Sequence, residues 1–267
     1  MAQTTQHVRF DGLDLAVEVF GKGLPLLFAH SLGSCRHQAR RLLDPLAANF
    51  RVIVFDQRGH CGSTPMTDVA RYQPEPMAND IGAVLDHVRV EQAIVVGESM
   101  GAATALVFAS QNPKRVQQLV LVAPTAADSP NPGCDMITAL ADFAEQYGLR
   151  AAADAVALAG MGSGIPRTVA QMITRHWTHH QLASFVAANR AVPRWVLFDS
   201  LAPVAALRMP IGVFGWGGDP SRPLSAARRI ASAARRGRIE TVDSLVELAS
   251  DTTLYARTVR ALLEPSE

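Results

Sequence analysis

The 267-residue chain predicts an α/β fold: a doubly wound, mostly parallel sheet carrying a helical cap insertion. Three observations carry that reading. Short apolar runs recur at Leu24 to Ala29, Arg51 to Asp56, Ala93 to Val96 and Gln118 to Ala123, as strands buried on both faces require. Helix-period segments separate these runs, and strands alternating with helices specify a parallel sheet. From 125 to 207 no strand pattern appears. The core is therefore expected in two pieces, 1–124 and 208–267, with the cap at 125–207 between them.

Taken in order, His7 to Phe10 and Leu13 to Phe20 are β-type runs joined at Asp11-Gly12, a hairpin signal. Leu24 to Ala29 is the first buried strand. Arg36 to Ala48 reads as helix and Arg51 to Asp56 as the next strand. Met77 to Arg89 places Ile81, Val84, Leu85 and Val88 on one helical face. Ala93 to Val96 leads through Gly97-Glu98-Ser99-Met100-Gly101 into an Ala-rich helix, Ala102 to Ser110, and Gln118 to Ala123 follows as a strand. Within the insertion, Met136, Ile137, Leu140, Phe143 and Tyr147 keep helical spacing. Met136, Met161, Met172, Trp177, Phe185, Trp195 and Phe198 suggest an apolar pocket with aromatic walls. Ile211 to Phe214 and Arg238 to Val242 resume the sheet, and Thr252 to Leu263 closes the chain as a helix.

Composition excludes several classes of function. Lys and Arg exceed Asp and Glu by one, which gives no electrostatic case for nucleic acid. Three cysteines, Cys35, Cys61 and Cys134, are too few and odd for a disulfide framework and suit a reducing compartment. The polar first ten residues hold no leader-like apolar segment, and no apolar run approaches the roughly 18 residues of a membrane span. A cytoplasmic protein acting on a small molecule is expected, with no cofactor and no membrane or nucleic-acid partner. Oligomeric state is not readable.

The chemistry starts at Ser99. G-x-S-x-G between a strand and a helix is the pattern of a nucleophile elbow, where Gly97 and Gly101 let strand and helix approach and Ser99 Oγ stands clear. Together with His30-Ser31-Leu32-Gly33 and Asp56-Gln57-Arg58-Gly59-His60-Cys61-Gly62-Ser63, this motif resembles the α/β-hydrolase fold superfamily, in its enol-lactonase, esterase and perhydrolase branch. The resemblance runs from about residue 8 to 123 and resumes from Met209. It implies an oxyanion hole from the backbone N–H groups of Leu32 and Met100. It makes His30, Asp56, Arg58 and His60 a hydrogen-bonded brace for that loop, and Asp219 the catalytic acid, with Asp128, just after the sixth strand, a second candidate. Cys61 stands where the family usually has glycine; an inert small residue is the plain reading there, a reactive thiol the alternative.

One departure dominates. The family's order Ser…Asp…His calls for a histidine after Asp219, yet all eight histidines lie at or before His180. Sliding the family's ending along this one puts Ser244 at the vacated position. Three accounts stay open: a base from the His176, His179 and His180 group, with His179 and His180 the alternatives to Ser244; a triad that has been removed; or chemistry that needs no base there. No thiol or carboxylate joins the histidine group at ligand spacing along the chain, so no metal site is expected. The leading expectation is a serine-nucleophile enzyme acting on a small ester, lactone or related carbonyl compound. The rivals are a non-hydrolytic biosynthetic enzyme (cyclase, lyase or isomerase) and a small-molecule receptor.

Overall fold

The computed structural model describes residues 5–251 and 253–264, apart from the side chains at positions 168, 169, 172 and 173. Met172 of the expected pocket wall and Thr252 at the expected start of the last helix thus lie outside what is described. Strands β1 (Gln6–Phe10) and β2 (Leu13–Gly21) meet at Asp11-Gly12, both with positive φ, the conformation that a two-residue Asp-Gly hairpin turn requires. The apolar runs become β3 (Leu24–Ala29), β4 (Phe50–Phe55), β5 (Ala93–Glu98), β6 (Val116–Val122), β7 (Ile211–Trp216) and β8 (Gly237–Val242). Across the sheet the order is β1-β2-β4-β3-β5-β6-β7-β8. The β1–β2 and β2–β4 pairs are antiparallel, and every other pair is parallel.

Alternating residues of the strands feed two cores. Leu27, Ile53, Val95, Leu121 and Val213 pack beneath α2 (Pro74–His87), α3 (Met100–Gln111) and α8 (Leu224–Ala233). Phe28, Val54, Val96, Val120 and Phe214 pack beneath α1 (Arg36–Leu43) and α10 (Leu254–Leu263). Period-two alternation inside continuous apolar runs is what a sheet covered on both faces needs. Helix α1 stops short of the expected Ala48 because Pro45 turns the chain into a 3₁₀ segment, Asp44–Leu46.

Between β6 and β7 lie four helices: α4 (Cys134–Gly162), α5 (Arg167–Thr174), α6 (Leu182–Ala191) and α7 (Ala202–Ala206). The helical period of α4 is real: Phe143 and Tyr147 are exposed, while Ala141, Ala144, Ala152 and Ala153 form its buried face. Small side chains let α4 pack closely on its neighbours. At Gly148 (φ 86°, ψ 162°) the helix breaks into two arms. No helix among the described residues is long and apolar enough to cross a membrane.

One buried ion pair ties the loop after β4 to α2. Arg58, 1% exposed, donates from Nε and Nη2 to the two Asp80 oxygens, each at 2.7 Å. Removing Asp80 leaves the buried guanidinium with only the half-exposed Asp11, 3.3 Å from Nη1, as a charged partner among the described residues. Asp80→Ala is therefore expected to lower unfolding free energy by about 3–5 kcal/mol in urea titrations.

Candidate active site

Ser99 sits between β5 and α3 with φ 51° and ψ −109°, a left-handed conformation that costs a non-glycine residue about 1–3 kcal/mol. Its neighbours explain how the strain is held. A Cβ on Gly97 would lie 2.1 Å from the Gly101 carbonyl oxygen, and one on Gly101 would lie 2.0 Å from that of Ala29. Strand, turn and helix are thus locked against β3, and the Ser99 N–H donates to Val122 O at 2.9 Å.

Ser99 opens into a cavity of about 950 Å³ at the carboxyl ends of the parallel strands. Leu32, Met100, Asp219 and Ser244 line it, as do Trp177 and Trp195 of the inserted segment. Among the described residues, neither the Leu32 nor the Met100 amide has a hydrogen-bond acceptor. Unpaired backbone N–H groups at the edge of a cavity are the kind of donor that an oxyanion hole uses.

Both loop histidines are engaged by backbone. His30 Nδ1 lies 2.8 Å from Ser31 O and its Nε2 accepts from Gln57 N at 3.0 Å. His60 Nδ1 lies 2.9 Å from Arg58 O and its Nε2 faces Gly33 N at 3.4 Å. Burial holds both rings below the ordinary imidazole range, so each is neutral and offers one donor and one acceptor. Asp56 accepts from Arg36 N at 2.6 Å, from Gly62 N at 2.9 Å and from the Arg36 guanidinium. His30, His60 and Asp56 interlock the loops after β3 and β4, whereas the Arg58 side chain ties the second of these loops to α2.

The residues after β7 and β8 are occupied locally. Asp219 Oδ1 accepts from Ser221 N, Ser221 Oγ and Arg222 N at 3.0, 2.8 and 3.1 Å; Oδ2 accepts from Arg222 Nε at 2.8 Å. Burial pushes its carboxyl up, and the Arg222 guanidinium and the Ser221 bonds outweigh that and hold it below the ordinary value. Ser244 lies in α9 territory: it caps α9 (Leu245–Ser250), a helix the sequence pattern missed, accepting from Glu247 N at 3.2 Å. Glu247 returns the contact to Asp243 N at 2.8 Å, a capping box shifted by one residue.

The inserted histidines separate. His179 is exposed, and His180 is buried with Nε2 3.3 Å from Cys61 Sγ; neither lines the cavity. His176, 7% exposed, does line it. Folding also does what spacing along the chain could not show, bringing a thiol to the histidine group. Two further residues escaped the sequence reading. Glu98 and Tyr255 line the cavity beside Ser99, with Tyr255 OH donating to Glu98 Oε2 at 3.0 Å. The position of Glu98 inside the Gly97–Gly101 motif was the available signal, whereas Tyr255 comes from α10, 157 residues away.

A family model described as alpha/beta hydrolase fold matches residues 25–203. A magnesium-chelatase 30 kDa subunit of Rhodobacter capsulatus is 40% identical over 91 residues, 34% of this chain and 32% of the relative. A 3-oxoadipate enol-lactonase 2 of Acinetobacter baylyi is 36% identical over 102 residues, 38% of this chain and 37% of the relative. The matched segments thus span about a third of these curated relatives. Among solved structures, the enol-lactonase of Burkholderia xenovorans LB400 superposes with TM-score 0.82 at 22% identity, covering 97% of this chain and 99% of its own. A malate-bound thermophilic esterase of Thermogutta terrifontis gives TM-score 0.82 at 21% identity, covering 97% and 98%.

Burial raises the Glu98 carboxyl above its ordinary value of 4.5, against the opposing Arg222 charge and the Tyr255 and Ser31 hydrogen bonds. A raised folded value means that the stability Glu98 contributes is complete below pH 4.5 and is lost as pH rises through that value toward the folded one. Glu98→Gln keeps an acceptor for Tyr255 without the charge. Its unfolding free energy should gain on wild type by about 1.4 kcal/mol per pH unit across that window, and urea titrations near the two ends measure it.

Proposed function

The chain belongs to the alpha/beta hydrolase fold family, and within it we propose a serine-dependent enzyme that opens a small ester or lactone in the cavity above β5. The observation that carries this reading is the Ser99 turn, strained at φ 51° and placed at the wall of a cavity of about 950 Å³. Ser99 Oγ attacks the carbonyl carbon, and the Leu32 and Met100 amides receive the negative charge that develops on oxygen. His176 is the one imidazole among the described residues that lines the cavity, and it is the proposed acceptor of the serine proton. The helical segment from α4 to α7 acts as the cap, and its Trp177 and Trp195 present an apolar surface to the rest of the substrate. The names of the relatives, lactonase and esterase, support ester chemistry.

A second reading has its own support. Asp219 and Ser244 are both held in local caps, and one curated relative is named as a chelatase subunit instead of a hydrolase. In that reading the same cavity binds a carbonyl compound for non-hydrolytic chemistry or for sensing.

The two readings separate on an activated ester such as p-nitrophenyl butyrate. A serine–histidine pair working without its aspartate falls about 10⁴-fold in kcat below a complete triad. Turnover at that level, abolished by Ser99→Ala and by His176→Ala and untouched by His179→Ala, supports the hydrolase. Turnover equal in wild type and Ser99→Ala, with no fluorophosphonate labelling of Ser99, moves the chain to the second reading.

Ser244→His tests whether the vacated position can still hold a base. The substitution removes a helix cap worth about 1 kcal/mol and places the ring near an aspartate already held by Arg222. A kcat gain below about tenfold is expected, since a base misplaced by about 1 Å can lose about 10²-fold. Adding Arg222→Ala should raise the gain by freeing Asp219.

A further inference from the structure

Outside the cavity, the sulfurs of Cys35 and Cys61 and a carboxylate oxygen of Asp56 lie within 4.8 Å of one another. His180 stands against the same cluster, with Nε2 3.3 Å from Cys61 Sγ. We propose that Cys35, Cys61, His180 and Asp56 form a binding site for a thiophilic divalent cation, zinc by the chemistry of its donors. None of the four lines the cavity, and the site does not depend on Ser99 being a nucleophile.

The donor set is the first argument. Two thiolates and an imidazole select zinc over magnesium or calcium, which take oxygen ligands. Zinc bonds of about 2.3 Å to sulfur and about 2.0–2.1 Å to nitrogen place tetrahedral neighbours about 3.5–3.8 Å apart. The Cys61–His180 contact is already at that scale, and the Cys35, Asp56 and Cys61 atoms need to close by about 1 Å at most, while the His180 ring, which meets the cluster through Cys61, must swing further toward the other two.

The second argument is an orphan. His180 is 7% exposed, and its Nδ1 has no hydrogen-bond partner among the described residues. A buried imidazole with one nitrogen against a thiol and the other unengaged lacks the contact that would fix its tautomer. A cation on Nε2 fixes it, leaving the proton on Nδ1.

The third argument is the backbone at Cys61, whose φ of 41° suits glycine. The side chain carried at this left-handed turn places its sulfur in the cluster. Charge closes the case. Binding releases two thiol protons; two thiolates, the Asp56 carboxylate and a divalent cation sum to −1. The Arg36 guanidinium, paired with both Asp56 and Glu18, and Arg40, 3.9 Å from Glu18, together cancel that remainder and the Glu18 charge. Cys35 precedes α1, Asp56 and Cys61 follow β4, and His180 comes from the inserted segment. The cation would therefore pin that segment to the sheet domain.

The test uses the reduced full-length chain, stripped with a chelator and titrated with Zn²⁺ or Co²⁺. One equivalent should bind, Co²⁺ should show thiolate-to-metal charge-transfer absorption, and Zn²⁺ should raise Tm by about 5 °C. Cys35→Ser and His180→Ala should each weaken binding at least about 100-fold. Cys61→Gly relieves the positive φ, so it should fold with a Tm at or above that of metal-free wild type and still lose the cobalt band. Absence of saturable binding to the reduced wild type overturns the proposal. So does binding that survives intact in Cys61→Gly, and so does a Cys35–Cys61 disulfide that forms in air while the reduced pair ignores zinc.

Discussion

The structure depends on a contact that no larger residue could make. Gly101 brings α3 so close to β3 that a single methyl would sit 2.0 Å from the Ala29 carbonyl oxygen, and Gly97 admits the same helix from the other side. That approach forces the chain to reverse within one residue, and Ser99 absorbs the reversal. The residue that follows β3 is His30, so the contact that strains the serine also sets where the 30–33 loop begins. Serine oxygen, Met100 amide and Leu32 amide are positioned by one packing event.

Around that event the polar groups are matched with unusual economy. His30 and His60 are neutral rings used as struts between backbone segments, which works because an uncharged imidazole both donates and accepts. Asp56 and Arg58 complete the scaffold through buried ion pairs with Arg36 and Asp80. The carboxyl edge after β7 and β8 is different: Asp219 and Ser244 satisfy their own loops, and the groups left facing the cavity beside Ser99 are Glu98 and Tyr255.

The sheet was legible in the sequence because its strands are buried on both faces and therefore read as unbroken apolar runs. The serine turn was legible because its glycines are forced by sterics at fixed spacing. The absence of a histidine after Asp219 needed no structure. What the sequence could not show depends on contacts across distance. The buried face of α4 is lined by alanine, which carries no hydrophobic signal of its own, while Met136, Ile137 and Leu140 of the row the spacing picked out line the cavity. Nothing in the local pattern at Ser244 separates a helix cap from a lost base. The expectation of a thiol-free histidine group failed because Cys61 and His180 stand 119 residues apart and meet only in the fold.

The break at Gly148 gives the cavity a mechanical property. Met136, Ile137 and Leu140 line it from the arm before the glycine; Val156, Ala159 and Gly160 line it from the arm after. A Cβ at Gly148 would touch nothing, so it is the positive φ and not a crowded neighbour that calls for glycine at the joint. The second arm, at about 1.5 Å per residue, is a lever about 21 Å long. Turning it by about 10° sweeps its tip through about 4 Å, roughly the width of a methylene chain. Because both arms line one cavity, a change of angle at this single glycine would alter its width without moving the sheet that carries Ser99.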